Sequence, residues 1–188
     1  EGRDAAAQHG VSYGGLYHRF WVRLPGLTMS NDAAQVVIAQ VKNEGELMQA
    51  LAIREIVFIE EQSVPAHLER DDDDARAYHL LAVKGGHAIG TGRLVALDKP
   101  PEGETGKWGR VGRMAVLQAA RKSGVGAKLL TALEAEARRQ NIHGIMLHAQ
   151  LSAMDFYKRH GYEPQGAVFE EAGMPHLEMK KRLQEPTP

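Results

Sequence analysis

The sequence predicts an α/β fold: a mixed, mostly antiparallel sheet of six to seven strands flanked by about four helices. Three observations predict it. Residues 78–84 and 87–97 are strand-forming runs joined by Gly85-Gly86, a strong two-residue hairpin signal. Residues 110–116, 124–140 and 145–149 read as strand, amphipathic helix and strand, and a helical crossover makes those two strands parallel neighbours. Short runs at 168–169 and 176–180 then close the chain as an antiparallel pair. The order is β-α-α-β-β-β-α-β-α-β-β.

Each element has a local cause. Val36, Ile38 and Val41 form a β-branched stretch, the expected first strand. Asn43 can cap the next helix, with Glu44 and Glu46 in its first turn. That helix is expected to reach about residue 60. Leu47, Leu51 and Phe58 lie along its apolar stripe, with Ala50 and Ile53 beside it, and Pro65 limits its continuation. Residues 69–74, Glu-Arg-Asp-Asp-Asp-Asp, read as a solvated loop or helix start rather than a cation or substrate site. They lack the glycine and final glutamate of a calcium-binding loop. Gly90 and Gly92 imply a bulge or the close approach of another group. Residues 99–107, with Pro100-Pro101 and two glycines, form a flexible loop. In the long helix Leu129, Leu130, Leu133 and Ala137 make the buried stripe, while Arg138 and Arg139 suit the negative end of its dipole. Ser152 is the expected cap of a helix reaching His160, with Gly161 as its stop.

A chain of 188 residues suits one domain with a sizeable core. Residues 1–28 read as an N-terminal extension or arm, and 29–188 as a single catalytic-sized domain. Tyr13, Tyr17, Phe20 and Trp21 crowd the extension without clear periodicity and would need a surface to cover, such as a neighbouring subunit. Met29 resembles a natural start. A net charge of −1 argues against an electrostatic nucleic-acid binder. The chain has no cysteine, which removes thiol chemistry and makes a reducing, cytoplasmic setting the expectation. No apolar run has membrane-spanning length, so no membrane partner is expected. No metal site is expected either: the nine histidines are scattered, and His143 and His148 would face opposite sides of one strand.

The most informative stretch lies between residues 111 and 127. A strand ends, a short polar loop follows, and Arg121-Lys122-Ser123-Gly124-Val125-Gly126-Ala127 opens the long helix. Such a loop offers consecutive backbone N–H groups at the positive end of a helix dipole, a site for pyrophosphate. It is not a P-loop, because neither Ser nor Thr follows Lys128. It is not a dinucleotide fingerprint, because Leu129 stands where a third small residue is needed. What remains is R-x-x-G-x-G/A after a strand.

This spacing resembles the coenzyme-A-binding signature of the GCN5-related N-acetyltransferase (GNAT) family. After the next strand, Gln150-Leu-Ser-Ala153-Met-Asp-Phe156-Tyr157 and Gly161-Tyr162 resemble the same family's N-x-x-A-x-x-F-Y-x-x-x-G-[FY] segment, with Gln150 where Asn is usual. The tail from Gly166 to Lys180 resembles its final hairpin, as in small bacterial members. The resemblance covers roughly residues 35–183 and is strongest over 111–162.

The resemblance implies acetyl-CoA held between parallel strands that splay apart. The pantetheine arm would pair with the backbone of Met114, Ala115 and Val116, and Gln118 would join the polar lining. The pyrophosphate would sit on N–H groups from Lys122 through Ser123, Gly124, Val125 and Gly126 to Ala127, with Arg121 as a nearby cation. Gln150, Ala153 and Phe156 would complete the cofactor side. Tyr157 would be the general acid, since a phenol with an ordinary pKa of about 10 is protonated at neutral pH. The Val116 N–H would polarise the thioester carbonyl. Glu61, His79, His148 and Glu171 are the candidates for a general base, although an amine that arrives partly deprotonated needs none. Glu61-Gln62 resembles a stretch that lines the acceptor side in relatives, and His79, His148 and His176 are further acceptor-side candidates. The acceptor implied is an amine of a small molecule or peptide, and a homodimer is common in the family. The acidic residues Glu60, Glu61 and Asp71 to Asp74 hint at a cationic acceptor. A different reading keeps the scaffold as a non-catalytic CoA-binding sensor.

Overall fold

The computed structural model describes residues 35–183; the extension over 1–28 and its four aromatic residues lie outside them. Seven strands form one sheet: β1 (Val37–Gln40), β2 (Tyr78–Lys84), β3 (His87–Ala96), β4 (Trp108–Val116), β5 (Gly144–Gln150), β6 (Glu163–Glu171) and β7 (Met174–Arg182). The helices are α1 (Glu44–Arg54), α2 (Ala66–Glu69), α3 (Val125–Arg139) and α4 (Met154–Arg159). Strand order is β1-β2-β3-β4-β5-β7-β6, antiparallel throughout except for the parallel β4/β5 pair.

The sheet is covered on both faces, so β2 is apolar without alternation. Leu80 and Ala82 face a core built with Leu129, Leu130 and Leu133 of α3, whereas Leu81 and Val83 face a smaller core with Ala50 and Ile53 of α1. Gly85 and Gly86, at φ of 58° and 80°, make the tight β2–β3 turn that only residues comfortable at positive φ form readily. The β3 glycines serve close approach. A Cβ at Gly92 would stand 2.6 Å from Met114 Sδ and 3.1 Å from Leu133 Cδ1, so α3 packs directly against the sheet backbone there. Opposite it, β4 carries an extra residue, and Arg113 takes φ of 52°.

Several expectations need correction. Asn43 does cap α1, its side chain accepting from the Glu46 N–H, but the α-helix stops at Arg54 and continues as a wider π-helical turn, Glu55–Glu61. The buried face of α1 runs through Ala50, Ile53 and Arg54, while Leu47 and Leu51 are only half-buried. Ser152 lies inside a 3-10 turn, Leu151–Ala153, and Ala153 occupies the position before α4 without a side-chain cap. His143 precedes β5 instead of sitting on it, and its main-chain N–H donates to Lys107 O.

The acidic run departs most from expectation. A helix start is present, a 3-10 turn Asp72–Ala75 with a capping box between Asp71 and Asp74, and Asp72 is exposed. But Glu69, Asp71, Asp73 and Asp74 are not simply solvated, since they hold arginines from three other elements. Arg54, 1% exposed, bonds Glu69 and makes a two-nitrogen contact with Asp74 (2.7 and 3.0 Å). Arg93, 3% exposed, bonds Asp71 through both terminal nitrogens (2.7 and 2.6 Å) and Asp74 through one (2.5 Å). Arg113 reaches Asp71 and the carbonyls of Leu68 and Glu69, and Arg110 reaches Asp73. Guanidinium groups taken out of water need such partners. The acid groups are there to neutralise and orient buried arginines.

Candidate functional site

Strands β4 and β5 are paired only at Trp108↔Gly144, Gly109↔Ile145 and Arg110↔Met146. Both continue beyond that point, to Val116 and Gln150, with no ladder between them. The seam opens into a cleft of about 640 Å³. On the other side of β4 the Leu117 N–H donates to Ile89 O, so by antiparallel alternation the backbone groups of Val116 point into the seam.

One end of the cleft is the loop before α3. Lys122 at φ of 61° and Gly124 at φ of 83° curl the chain so that α3 starts at Val125. No side chain caps this helix and no acid occupies its first turn. Its first N–H groups are therefore open to an anion. Gly126 lines the cleft, and a Cβ there would meet only the Phe156 ring at 3.6 Å, an ordinary contact. We therefore expect Gly126→Val to fold normally yet weaken binding of any pyrophosphate-bearing ligand, CoA being the one to titrate, by about tenfold or more, since the added atoms take space a pyrophosphate would need. Calorimetric titration giving wild-type affinity would move the phosphate site elsewhere.

Of the residues singled out from the sequence, Met114, Val116, Arg121, Lys122, Gly124, Val125, Gly126, Ala127, Gln150, Ala153, Phe156, Tyr157, Gln62, His148 and His176 all line this cleft. Others sit elsewhere. Ala115 packs its side chain into the α1-side core. Ser123 Oγ donates to Ala120 O (2.7 Å), and Gln118 is exposed in a 3-10 turn. Glu61 meets Arg121 (2.5 Å), whose Nε also donates to Val116 O (2.9 Å), so this carboxylate sits beside the loop that precedes α3 and does not line the cleft. His79 is buried on β2 with Nε2 3.0 Å from Asp74 O and does not reach the cleft; burial lowers its pKa.

Tyr157 is nearly buried, held edge-on between Phe156 and Tyr162 at 5.0 and 5.8 Å between ring centres. Burial pushes its phenol up to about 12. Gln150 donates through Nε2 to Gln62 Oε1 (2.9 Å), so the residue that replaces the usual asparagine ties β5 to the end of the π-helical turn.

At the other end His148 Nδ1 lies 2.6 Å from Glu171 Oε2. The His148 ring stands edge-on to Phe169 at 4.9 Å, and Phe169 stacks on His176 at 6.1 Å. The bond from His148 holds the Glu171 carboxyl below its usual range, against a smaller opposing push from burial. With Nδ1–H donating to this carboxylate, Nε2 is left as a free acceptor. Sequence reasoning considered both residues separately; only the final hairpin brings them together. Arg93, Arg110 and Arg113 also line the cleft, and no motif or spacing in the chain marks them.

Residues 37–183 match the family described as an acetyltransferase (GNAT) domain. The chain belongs to the GNAT acetyltransferase family. It is 38% identical over 141 residues to YjcF, an uncharacterised N-acetyltransferase of Bacillus subtilis, covering 74% of this chain and 95% of that one. Among solved structures it resembles Escherichia coli ElaA, with a TM-score of 0.68 and 26% identity over 79% of this chain and all (100%) of that one. It also resembles an acyl-CoA N-acyltransferase of Pseudomonas aeruginosa, with a TM-score of 0.60 and 27% identity, over 78% and 98% of the two chains. This GNAT domain has the open β4/β5 seam in a seven-stranded sheet. No helix among the described residues is long and apolar enough to cross a membrane.

Proposed function

We propose that this GNAT protein transfers an acetyl group from acetyl-CoA directly to a primary amine of a small molecule or peptide, both bound at once. The observation that carries the reading is the continuous cleft through the β4/β5 seam, with an uncapped helix N-terminus at one end and the His148–Glu171 pair at the other. The donor supplies an activated acetyl thioester. Its diphosphate fits the N–H groups from Lys122 to Ala127, and its chain-like arm fits the unpaired edge of β4 at Met114, Ala115 and Val116. The Val116 N–H is the donor for the carbonyl oxygen, where charge builds up as the amine attacks. His148 takes the amine proton at Nε2, with Glu171 fixing the orientation of the ring through Nδ1. Tyr157, protonated at any pH below its raised pKa, gives its proton to the departing sulfur. The C–N bond forms as the C–S bond breaks, and the proton lost by nitrogen balances the one gained by sulfur. The reading extends to a cytoplasmic setting, consistent with a chain lacking cysteine, and, from the habit of the family, to a homodimer.

Calorimetry with acetyl-CoA and CoA, followed by thiol release with a panel of amines, tests this. Binding plus turnover on at least one amine is expected. Tight binding with no turnover on any amine would favour a CoA sensor on the same scaffold.

A further inference from the structure

We infer that the acceptor amine also carries an anionic group, a carboxylate or phosphate, which docks on Arg110 and Arg113 beside His148. This inference rests on the acetyl-transfer reading and adds the substrate's charge class.

The geometry argues against a cationic acceptor. Among the described residues two carboxylates line the cleft, Asp71 and Glu171, and each already holds a partner. Asp71 uses both oxygens on Arg93 and one also on Arg113. Glu171 gives Oε2 to His148. Of the other acids of the run, Glu69, Asp73 and Asp74 are spent on Arg54, Arg76, Arg93 and Arg110, and Asp72 is exposed and does not line the cleft. A polyamine entering here would find one open carboxylate oxygen, Glu171 Oε1, against three cleft-lining arginines, Arg93, Arg110 and Arg113.

Donors, in contrast, are left over. A guanidinium has five N–H groups. Arg110 uses only Nη2, on Asp73, leaving Nε and Nη1 without a partner among the described residues. Arg113 uses Nε and Nη2, leaving Nη1. Both line the cleft, and their side chains are 35% and 24% exposed, neither sealed nor lost to bulk water. Arg113 sits in a repulsive setting for a cation: burial and then the charges of Arg93 and Arg54 lower its pKa, and an incoming oxyanion would relieve this. The sheet supplies the spacing. Arg110 is the parallel partner of Met146, so its side chain leaves the same face as Met146 and, two residues on, His148. An oxyanion on the arginine fork therefore places a nearby amine beside the imidazole, and planar bidentate recognition is what arginine does better than lysine.

The test compares matched acceptors with the full-length protein and acetyl-CoA: β-alanine against β-alaninamide, 2-aminoethyl phosphate against ethanolamine, and spermidine as a polycation. The anionic member of at least one pair is expected to have the higher kcat/KM by about tenfold or more. Which pair responds separates carboxylate from phosphate. Arg110→Gln should bring that ratio towards one, mainly by raising KM for the anionic amine, and Arg110→Lys should fall between. Neutral amines or spermidine used as well as the anionic ones by the wild type would overturn the inference while leaving acetyl transfer intact. An unchanged ratio in both Arg110→Gln and Arg113→Gln would do the same. Should no amine be turned over, acetyl transfer itself fails, and calorimetry of the CoA complex with β-alanine and 2-aminoethyl phosphate decides the binding question: no heat from either removes the anion subsite.

Discussion

Tyr157→Phe is expected to lower kcat by about a hundredfold while leaving the affinity for acetyl-CoA within about twofold. The substitution removes one oxygen and keeps the ring. Its edge-on contacts with Phe156 and Tyr162 are made by carbon atoms and survive, so the fold should not change. What is lost is a proton source at the thioester end of the cleft. Burial raises this phenol's pKa to about 12, so Tyr157 stays protonated across the usable pH range. Any alkaline fall in rate then belongs to another group. Steady-state kinetics with saturating acceptor, together with calorimetry, decides the matter. A variant with wild-type kcat would leave Tyr157 as a packed aromatic and hand the sulfur's proton to solvent.

Asp74→Asn should cost about 3 kcal/mol of folding stability, or roughly 10 °C in Tm. Asp74 is shared by two guanidiniums that are almost sealed from water, Arg54 and Arg93. Neutralising it leaves Arg54 with Glu69 and Arg93 with Asp71 as their remaining carboxylates, one negative charge short in a largely buried cluster. The pH dependence carries the signature. Burial acts to raise the Asp74 pKa, but the bonds and charges of Arg54 and Arg93 outweigh it and hold the carboxyl well below its ordinary range. Asp71 is likewise lowered, chiefly by its bonds to Arg93. A carboxyl with a depressed folded-state pKa stabilises above its unfolded value, near 4, and that contribution disappears as pH falls towards the folded value. The stability gap between wild type and variant should thus be full at pH 7 and narrow below about pH 4. Urea unfolding at pH 7 with equal midpoints would show that the network contributes nothing net.

The sheet and the loop that opens α3 were legible in the sequence because their signals are local. Gly85-Gly86 announces its turn, Asn43 caps the helix three residues ahead of its partner amide, and the apolar stripe of α3 repeats within one helix. The opposite, arginine- and histidine-lined part of the cleft was not legible. Its defining contacts join residues far apart in the chain: Arg54 to Asp74, Arg93 to Asp71, His148 to Glu171, Gln62 to Gln150. Four consecutive aspartates carry no mark of the arginines they will meet, and composition alone assigns them to water. The π-helical turn and the bulge at Arg113 were missed for a related reason. Each is imposed by packing around the seam, and no single residue type encodes it.

With acetyl-CoA bound as proposed, the seam would also couple folding to metabolism. Along its open margin β4 presents main-chain donors and acceptors that no neighbouring strand satisfies. A peptide-like arm lying in that gap acts as a substitute strand, supplied from outside. The domain completes its ladder only in company, and its resistance to unfolding should track the supply of that guest, rising by about 2.7 kcal/mol at a hundredfold excess over Kd. Cells rich in the activated thioester would hold a sturdier protein than starved ones.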